Sequence, residues 1–170
     1  MNMFDASVLP MLQALGAASA MLAKAAAHAE TEKYDPAILV QARLAPSQFT
    51  TAKQIQVMSD FCKTGGALLA GVDSPRMADT EVTFADLQAR MDATAAFLGT
   101  LTPAQIDGSE GRSIEFKVAG REMKFTGQVY LMQFVLPNVY FHFTTAYSIL
   151  RHNGVELGKQ DFMGALPGMG

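Results

Sequence analysis

Only one cysteine, Cys62, stands among the 170 residues, so the chain can form neither an internal disulfide nor a metal cage of several thiolates, and it fits a reducing cytoplasm. Cys62 reads as a small apolar core residue. Cations are not in excess either: 13 Lys and Arg against 16 Asp and Glu give a net charge of −3, without the clustered positive charge that phosphate backbones require. Nucleic acid is therefore not expected as a partner. Histidine occurs three times, at His28, His142 and His152, which limits any imidazole metal site from the start. No glycine-rich phosphate loop follows a strand, and no Ser/His/Asp set has a spacing specific to hydrolysis. Repeats, low-complexity tracts and linkers are missing as well. With 49% hydrophobic residues, the chain can bury one sizeable core and is too short for two domains of ordinary size. A single domain over residues 1–170 is expected.

The apolar N-terminal stretch from Val8 to Ala29 lacks the basic region that precedes a secretory signal, with Asp5 there instead, and Gln13, Lys24 and His28 interrupt it. It offers no uninterrupted apolar span of membrane length. On a helical wheel Val8, Leu12, Leu15, Ser19, Leu22 and Ala26 share one face and Gln13, Lys24 and His28 the other, the pattern of a soluble amphipathic helix. A cytoplasmic protein without a membrane partner is expected.

Further along, Tyr34-Asp35-Pro36 breaks the pattern, and the segment to Pro46 reads as an irregular connection anchored by Ile38, Leu39 and Leu44. A second helix is predicted over 47–70, stopped by Gly71 and weakened by Gly65-Gly66, since each interior glycine costs about 1 kcal/mol relative to alanine. Thr83-Phe84-Ala85-Asp86 has capping-box spacing and opens a third helix through Leu87, Met91, Thr94 and Leu98 to Leu101, where Thr102-Pro103 ends it. Between Ser113 and Thr126 the period becomes two, with Ile114, Phe116 and Val118 alternating against Glu115 and Lys117 around a turn at Ala119-Gly120; this is a β-hairpin. The last helix is predicted from Pro137, which suits a first turn, to a stop at Asn153-Gly154. Tyr140, Phe141, Phe143 and Tyr147 cover nearly its whole circumference, which calls for a second covering surface, a partner subunit being the simplest. In the tail, Val155, Leu157 and Phe162 are expected to pack, and Gly164 to Gly170 to have little reason to order. The fold class is all-α: four long helices in a bundle, with a small hairpin before the last. The 11 methionines read as fillers of gaps in that core.

Within Leu136–Asp161 the groups Leu136-Pro137-Asn138, Tyr140-Phe141-His142, Thr144-Thr145-Ala146-Tyr147, Leu150-Arg151-His152-Asn153-Gly154-Val155, Gly158-Lys159 and Asp161-Phe162 are more specific than any short motif. On these residues the sequence resembles the DinB/YfiT-like superfamily of four-helix-bundle proteins, many of them metalloenzymes, and more narrowly its bacterial branch known as domain of unknown function one-nine-nine-three. The segment from Ala42 to Gly71, with Ser59-Asp60 and Lys63, shares the resemblance. The resemblance implies a metal site of one histidine from the second helix and an H-x-x-x-H pair on the last, three imidazoles holding zinc, nickel or manganese with an open position.

The chain departs from that pattern. His142 fits the first member of the pair, but Ala146 stands four residues on, and the second helix has no histidine. His152 is no substitute, lying about 80° around the axis from His142 and roughly 15 Å along it. His28 lies on a polar face. His142 is thus either a core histidine with its nitrogens hydrogen-bonded, which the missing ligands favour, or the remnant ligand or general base of a metal site. Gln54 falls on the apolar arc of the second helix with Val57, Met58, Phe61, Cys62, Leu68 and Leu69, where a buried amide needs a partner, and it is the expected partner of His142. Asp60 falls on the polar arc with Lys53, Gln56, Lys63 and Thr64; it reads as a solvated aspartate or as a catalytic assistant. Tyr147, paired at i and i+7 with Tyr140, is a candidate ligand contact beside Gln54, though such pairs also suit a core or an interface. Arg151 and His152 suit the negative end of a helix dipole.

Three functional readings follow. The favoured one is a homodimeric small-molecule-binding or interaction module without the full metal site. The alternative is the enzyme the resemblance implies, a metal- or thiol-dependent hydrolase or transferase with His142 as ligand or base and Asp60 assisting. The third is a structural oligomer without a small ligand.

Overall fold

A computed structural model of the chain describes residues 1–118 and 120–165. In chain order the elements are α1 Met3–Glu32, α2 Ala37–Val40, α3 Thr51–Ala70, α4 Phe84–Gly99, α5 Pro103–Ile106, β1 Ser113–Val118, β2 Arg121–Thr126, α6 Gly127–Val129, a π-helical segment Tyr130–Val135, α7 Leu136–His152 and α8 Lys159–Met163. The protein is mostly helical with one two-stranded antiparallel hairpin. The long helices α1, α3, α4 and α7 pack on one another, α1 against α4 and α7, and α3 against α4 and α7.

The buried stripe of α1 is centred near Ala18 and includes Met11, Ala14, Ala17, Met21, Ala25 and Ala29. Of the expected face, Val8, Leu15 and Leu22 are buried and Leu12, Ser19 and Ala26 half-buried, so the stripe includes one side of that face and its centre is turned by about 80° at 100° per residue. Small residues extend the burial on that side: a Cβ on Gly164, at the end of the tail, would come within 2.9 Å of Ala17 Cβ, and α1 packs on α8 as well as on α4 and α7. By length and composition alone α1 is long and apolar enough to cross a membrane despite the interruptions at Gln13, Lys24 and His28, a property shared by core helices, and half of its most apolar window is buried against the rest of the protein.

Thr50, whose side chain accepts from the Lys53 amide, caps α3, so the helix starts later than expected, and Gly71 ends it with φ +71°. Gly65 and Gly66 strengthen the packing rather than weaken the helix. A Cβ on Gly65 would lie 2.7 Å from Val135 Cγ1, and one on Gly66 2.6 Å from Leu98 Cδ2. The Thr83–Asp86 capping box of α4 is present, while the helix ends at Gly99 and Thr102 opens α5 instead of trailing into a loop. Of the anchors expected between Tyr34 and Pro46, Leu39 is buried together with Val40, whereas Ile38 and Leu44 are exposed.

The hairpin pairs Ile114 with Phe125 and Phe116 with Met123 on one face, and Glu115 with Lys124 and Lys117 with Glu122 on the other. Its expected turn falls partly outside the described residues; Gly120 has φ +79°. Pro137 does not open a separate helix. The chain is already helical from Gly127, and a π turn runs directly into α7. A proline in a continuing helix removes an amide donor and crowds the carbonyl four residues back, and a wider turn accommodates it. Asn138 Nδ2 donates to the Phe134 carbonyl at 2.7 Å.

The tail covers part of the α7 surface that had called for a partner. Phe162 stacks on Phe143 with ring centres 4.4 Å apart and meets Tyr147 edge-on. Lys24 pairs with Asp161 at 2.7 Å, and Gln13 Nε2 donates to the Met163 carbonyl at 2.7 Å. Val155 and Leu157 are buried as expected. Residues 166–170, part of the tip expected to be loose, lie outside the described residues.

Candidate functional site

α3 and α7 bring His142 and Gln54 together. His142 Nδ1 lies 2.6 Å from Gln54 Oε1, with the two residues 8% and 3% exposed. An amide oxygen can only accept, so Nδ1 carries the proton and Nε2 the lone pair. Burial pulls the imidazole below its ordinary pKa, which keeps it neutral near pH 7. Phe61 stacks on the ring at 5.9 Å and Phe141 meets it edge-on at 5.1 Å. The other end of the Gln54 amide makes a long 3.5 Å bond to the Phe49 carbonyl. The pairing expected from the wheel is thus present.

The polar arc of α3 is solvated only in part: Lys53, Asp60 and Thr64 are half-buried. Gln56, Ser59 and Lys63 are buried, because α4 and the segment from Val72 to Thr83 lie over them. At the centre is Arg90, 4% exposed, which the sequence reading passed over. Its Nη2 donates to Asp60 Oδ1 at 2.8 Å, and its Nη1 donates to Glu81 Oε1 at 2.9 Å and to the Ala78 carbonyl at 3.1 Å. Asp79 adds a 3.1 Å ion pair, and Lys53 and Lys63 complete the cluster on Asp79 and Asp60. Burial pushes the guanidinium down, but Glu81, Asp60 and Asp79 outweigh it and hold its pKa above the ordinary value. The hydrogen bond from Lys53 is the largest influence on Asp79 and lowers its carboxyl. A signal existed in the sequence: Arg90 falls between Leu87 and Thr94 at helical spacing, at the edge of the buried face.

Asp60 also lines a cleft of about 250 Å³ between α3, the hairpin and the π-helical segment, walled by Phe61, Phe116, Tyr130 and Phe134. The hairpin supplies Phe116, and the π turn delivers Tyr130 and Phe134. Burial is the sole cause raising the Tyr130 phenol, with no hydrogen bond offsetting it. A larger depression of about 560 Å³ on the outer hairpin face is bordered by Glu115, Lys117, Glu122 and Lys124, and the Lys117–Glu122 and Lys124–Glu115 pairs there are exposed side chains.

The four sequence candidates do not converge. His142 and Gln54 form one pair; Asp60 belongs to the Arg90 cluster and the cleft, and Phe61 borders both the pair and the cleft. Tyr147 is elsewhere, with Arg151 Nη1 donating to its hydroxyl at 2.7 Å and to the Leu157 carbonyl at 2.6 Å. That contact fastens the tail. Cys62 is fully buried and burial pushes its thiol up, so it is no nucleophile in this fold.

The residues around His142 do not fit a three-imidazole metal centre. Ala146 is fully buried and offers a methyl group, and the α3 residue facing the ring is an amide that already holds Nδ1. His28 sits beside Tyr34, and His152 is exposed in the last turn of α7. Among the described residues no three His, Cys, Asp or Glu side chains converge on a metal position.

Residues 3–163 match the family model described as "Domain of unknown function (DUF1993)". The structure is similar to the crystal structure of a DinB family member protein from Shewanella denitrificans, with 36% sequence identity, a TM-score of 0.87, and coverage of 96% of this chain and 93% of that one. No curated protein matches the chain.

Proposed function

The chain belongs to the DUF1993 family of DinB-like proteins, and on that premise we propose that it is a homodimeric four-helix bundle that binds a small molecule, one domain over residues 1–170 without the three-histidine centre. The observation that carries this reading is the aromatic cleft under the hairpin. Helical and sheet elements meet there around apolar walls with Asp60, Thr64 and Lys117 as the few polar groups, the composition of a small-ligand site. The four long helices and their pairwise packing support the bundle description. Tyr140 and Phe141 support the dimer: they remain 41% and 60% exposed on α7 after the tail has covered Phe143.

A fragment screen on the full chain tests the binding reading. Saturable shifts of the hairpin and π-segment resonances are expected, and a screen without any binder would defeat it. Light scattering tests the dimer, which a mass near 18.2 kDa across the micromolar range would rule out. One observation favours the alternative enzyme: His142 is neutral, with its tautomer fixed by Gln54 and a lone pair on Nε2, as a general base requires. Stoichiometric zinc, nickel or manganese in protein purified without a histidine tag would turn the assignment toward that enzyme.

A further inference from the structure

The cleft beneath the hairpin defines its ligand more closely than the binding reading, on which this inference rests. Three of its ring pairs are tilted or edge-on, Phe116 with Phe134 at 5.3 Å and 48°, Phe116 with Tyr130 at 5.3 Å and 64°, and Phe61 with Phe134 at 5.6 Å and 67°, while Tyr130 and Phe134 stack at 5.9 Å and 25°. The room of about 250 Å³ suits one ring with a short arm.

Asp60, Thr64 and Lys117 are the polar side chains of the lining beside the Tyr130 phenol. Arg90 and Lys63 both address Asp60 through Oδ1, and Oδ2 accepts no hydrogen bond from the described residues. Counted with Asp60 itself, the fixed charges of the cluster balance, with Arg90, Lys53 and Lys63 against Asp60, Asp79 and Glu81. Lys117 at the rim is engaged by Glu122 at 3.3 Å. An anion entering here would meet the carboxylate and the negative faces of the rings. A neutral apolar molecule would strip water from Oδ2 and return nothing. A cation gains a charge-assisted hydrogen bond at Oδ2 and attraction to the aromatic faces.

We propose that the cleft binds a small organic ammonium bearing a single ring or short apolar chain, its nitrogen on Asp60 Oδ2 and its apolar part among Phe61, Phe116, Tyr130 and Phe134. Phenethylamine, phenethyl alcohol and phenylacetate share the ring and differ in charge, and they are titrated into the full chain by NMR. Phenethylamine should saturate at least tenfold more tightly than the alcohol, and phenylacetate should not bind. Asp60→Asn should erase the advantage of the amine over the alcohol. Val118→Trp, on an exposed hairpin position lining the cleft, should block both without touching the core or the Arg90 cluster. Cross-peaks away from the cleft report whether each variant keeps the fold, and Val118→Trp carries the location test if Asp60→Asn disturbs it. Equal affinity for amine and alcohol, both blocked by Val118→Trp, would overturn the ammonium assignment and leave small-molecule binding standing. Tighter binding of phenylacetate, binding insensitive to Val118→Trp, or no binding of any of the three would overturn the inference, while the broader fragment screen decides separately whether the protein binds small molecules at all.

Discussion

Replacing His142 by leucine isolates the one polar pair that the α3–α7 interface buries through an imidazole. The substitution keeps apolar bulk against Phe61 but takes the 2.6 Å donor away from Gln54 Oε1. At 3% exposure Gln54 cannot turn to water instead. A buried acceptor stripped of its donor costs about 1–3 kcal/mol. At about 2–4 °C per kcal/mol for a chain of this size, Tm should fall by about 2–12 °C. The double variant Gln54→Leu with His142→Leu removes both partners and should recover most of the loss, because apolar groups of fitting shape replace a satisfied pair almost neutrally. Denaturant midpoints at unchanged m-value give the coupling energy directly. The same pair sets a pH dependence. The folded imidazole has a lowered pKa, so on acidification the unfolded chain, with an ordinary value of about 6.5, takes up the proton first. Stability is therefore complete above about pH 6.5 and falls as the pH drops from there toward the lower folded value. His142→Leu should lack that part of the slope. A single variant as stable as the parent, or a double variant whose loss equals the sum of the two singles, would refute the argument.

Arg90→Met should cost roughly 3 kcal/mol, the lower end for breaking a buried pair, because its carboxylate partners keep contact with water; a loss below about 0.5 kcal/mol by chemical denaturation would mean the cluster does not hold the Val72–Thr83 segment. The lowered carboxyl of Asp79, held down chiefly by the Lys53 hydrogen bond, contributes stability that is present above about pH 4 and lost as the pH falls through its folded value, so an acid titration of Lys53→Met should be shallower there than that of the parent. Gly66→Ala gains up to about 1 kcal/mol of helix propensity but drives a methyl to 2.6 Å from Leu98 Cδ2, and overpacking of about 1–3 kcal/mol should win; a raised Tm would show that Leu98 yields freely. Phe162→Ala should cost about 2 kcal/mol, less than the 3–5 kcal/mol of a fully buried phenylalanine because Phe162 is half-buried, and faster proteolysis after His152 should accompany it.

Local rules in the sequence determined the caps, the hairpin and the His142–Gln54 pair. The Thr83–Asp86 box, the Gly71 stop and the period-two stretch from Ser113 are each complete within a few residues, so no distant contact was needed to specify them. Gln54 and His142 were legible because each is a polar group on an apolar arc, and a buried amide and a buried imidazole require partners. The absence of a histidine four residues after His142 was equally plain.

Tertiary packing decided the rest. How far around α1 the burial extends depended on α4, α7 and α8 packing against it, and hydropathy weighs an alanine too lightly to show that. Gly65 and Gly66 looked like weaknesses by propensity and became contact points because Val135 and Leu98 occupy the space a side chain would take. Asp60 read as solvated because the wheel of α3 says nothing about a cation arriving from α4, 30 residues later. The aromatic cleft arose the same way: Phe61, Phe116, Tyr130 and Phe134 come from three separate segments, and only the hairpin folding back onto α3 makes them one surface. Periodicity along a chain assigns faces to single elements, whereas a site that joins elements exists only once long-range packing has set their order and distance.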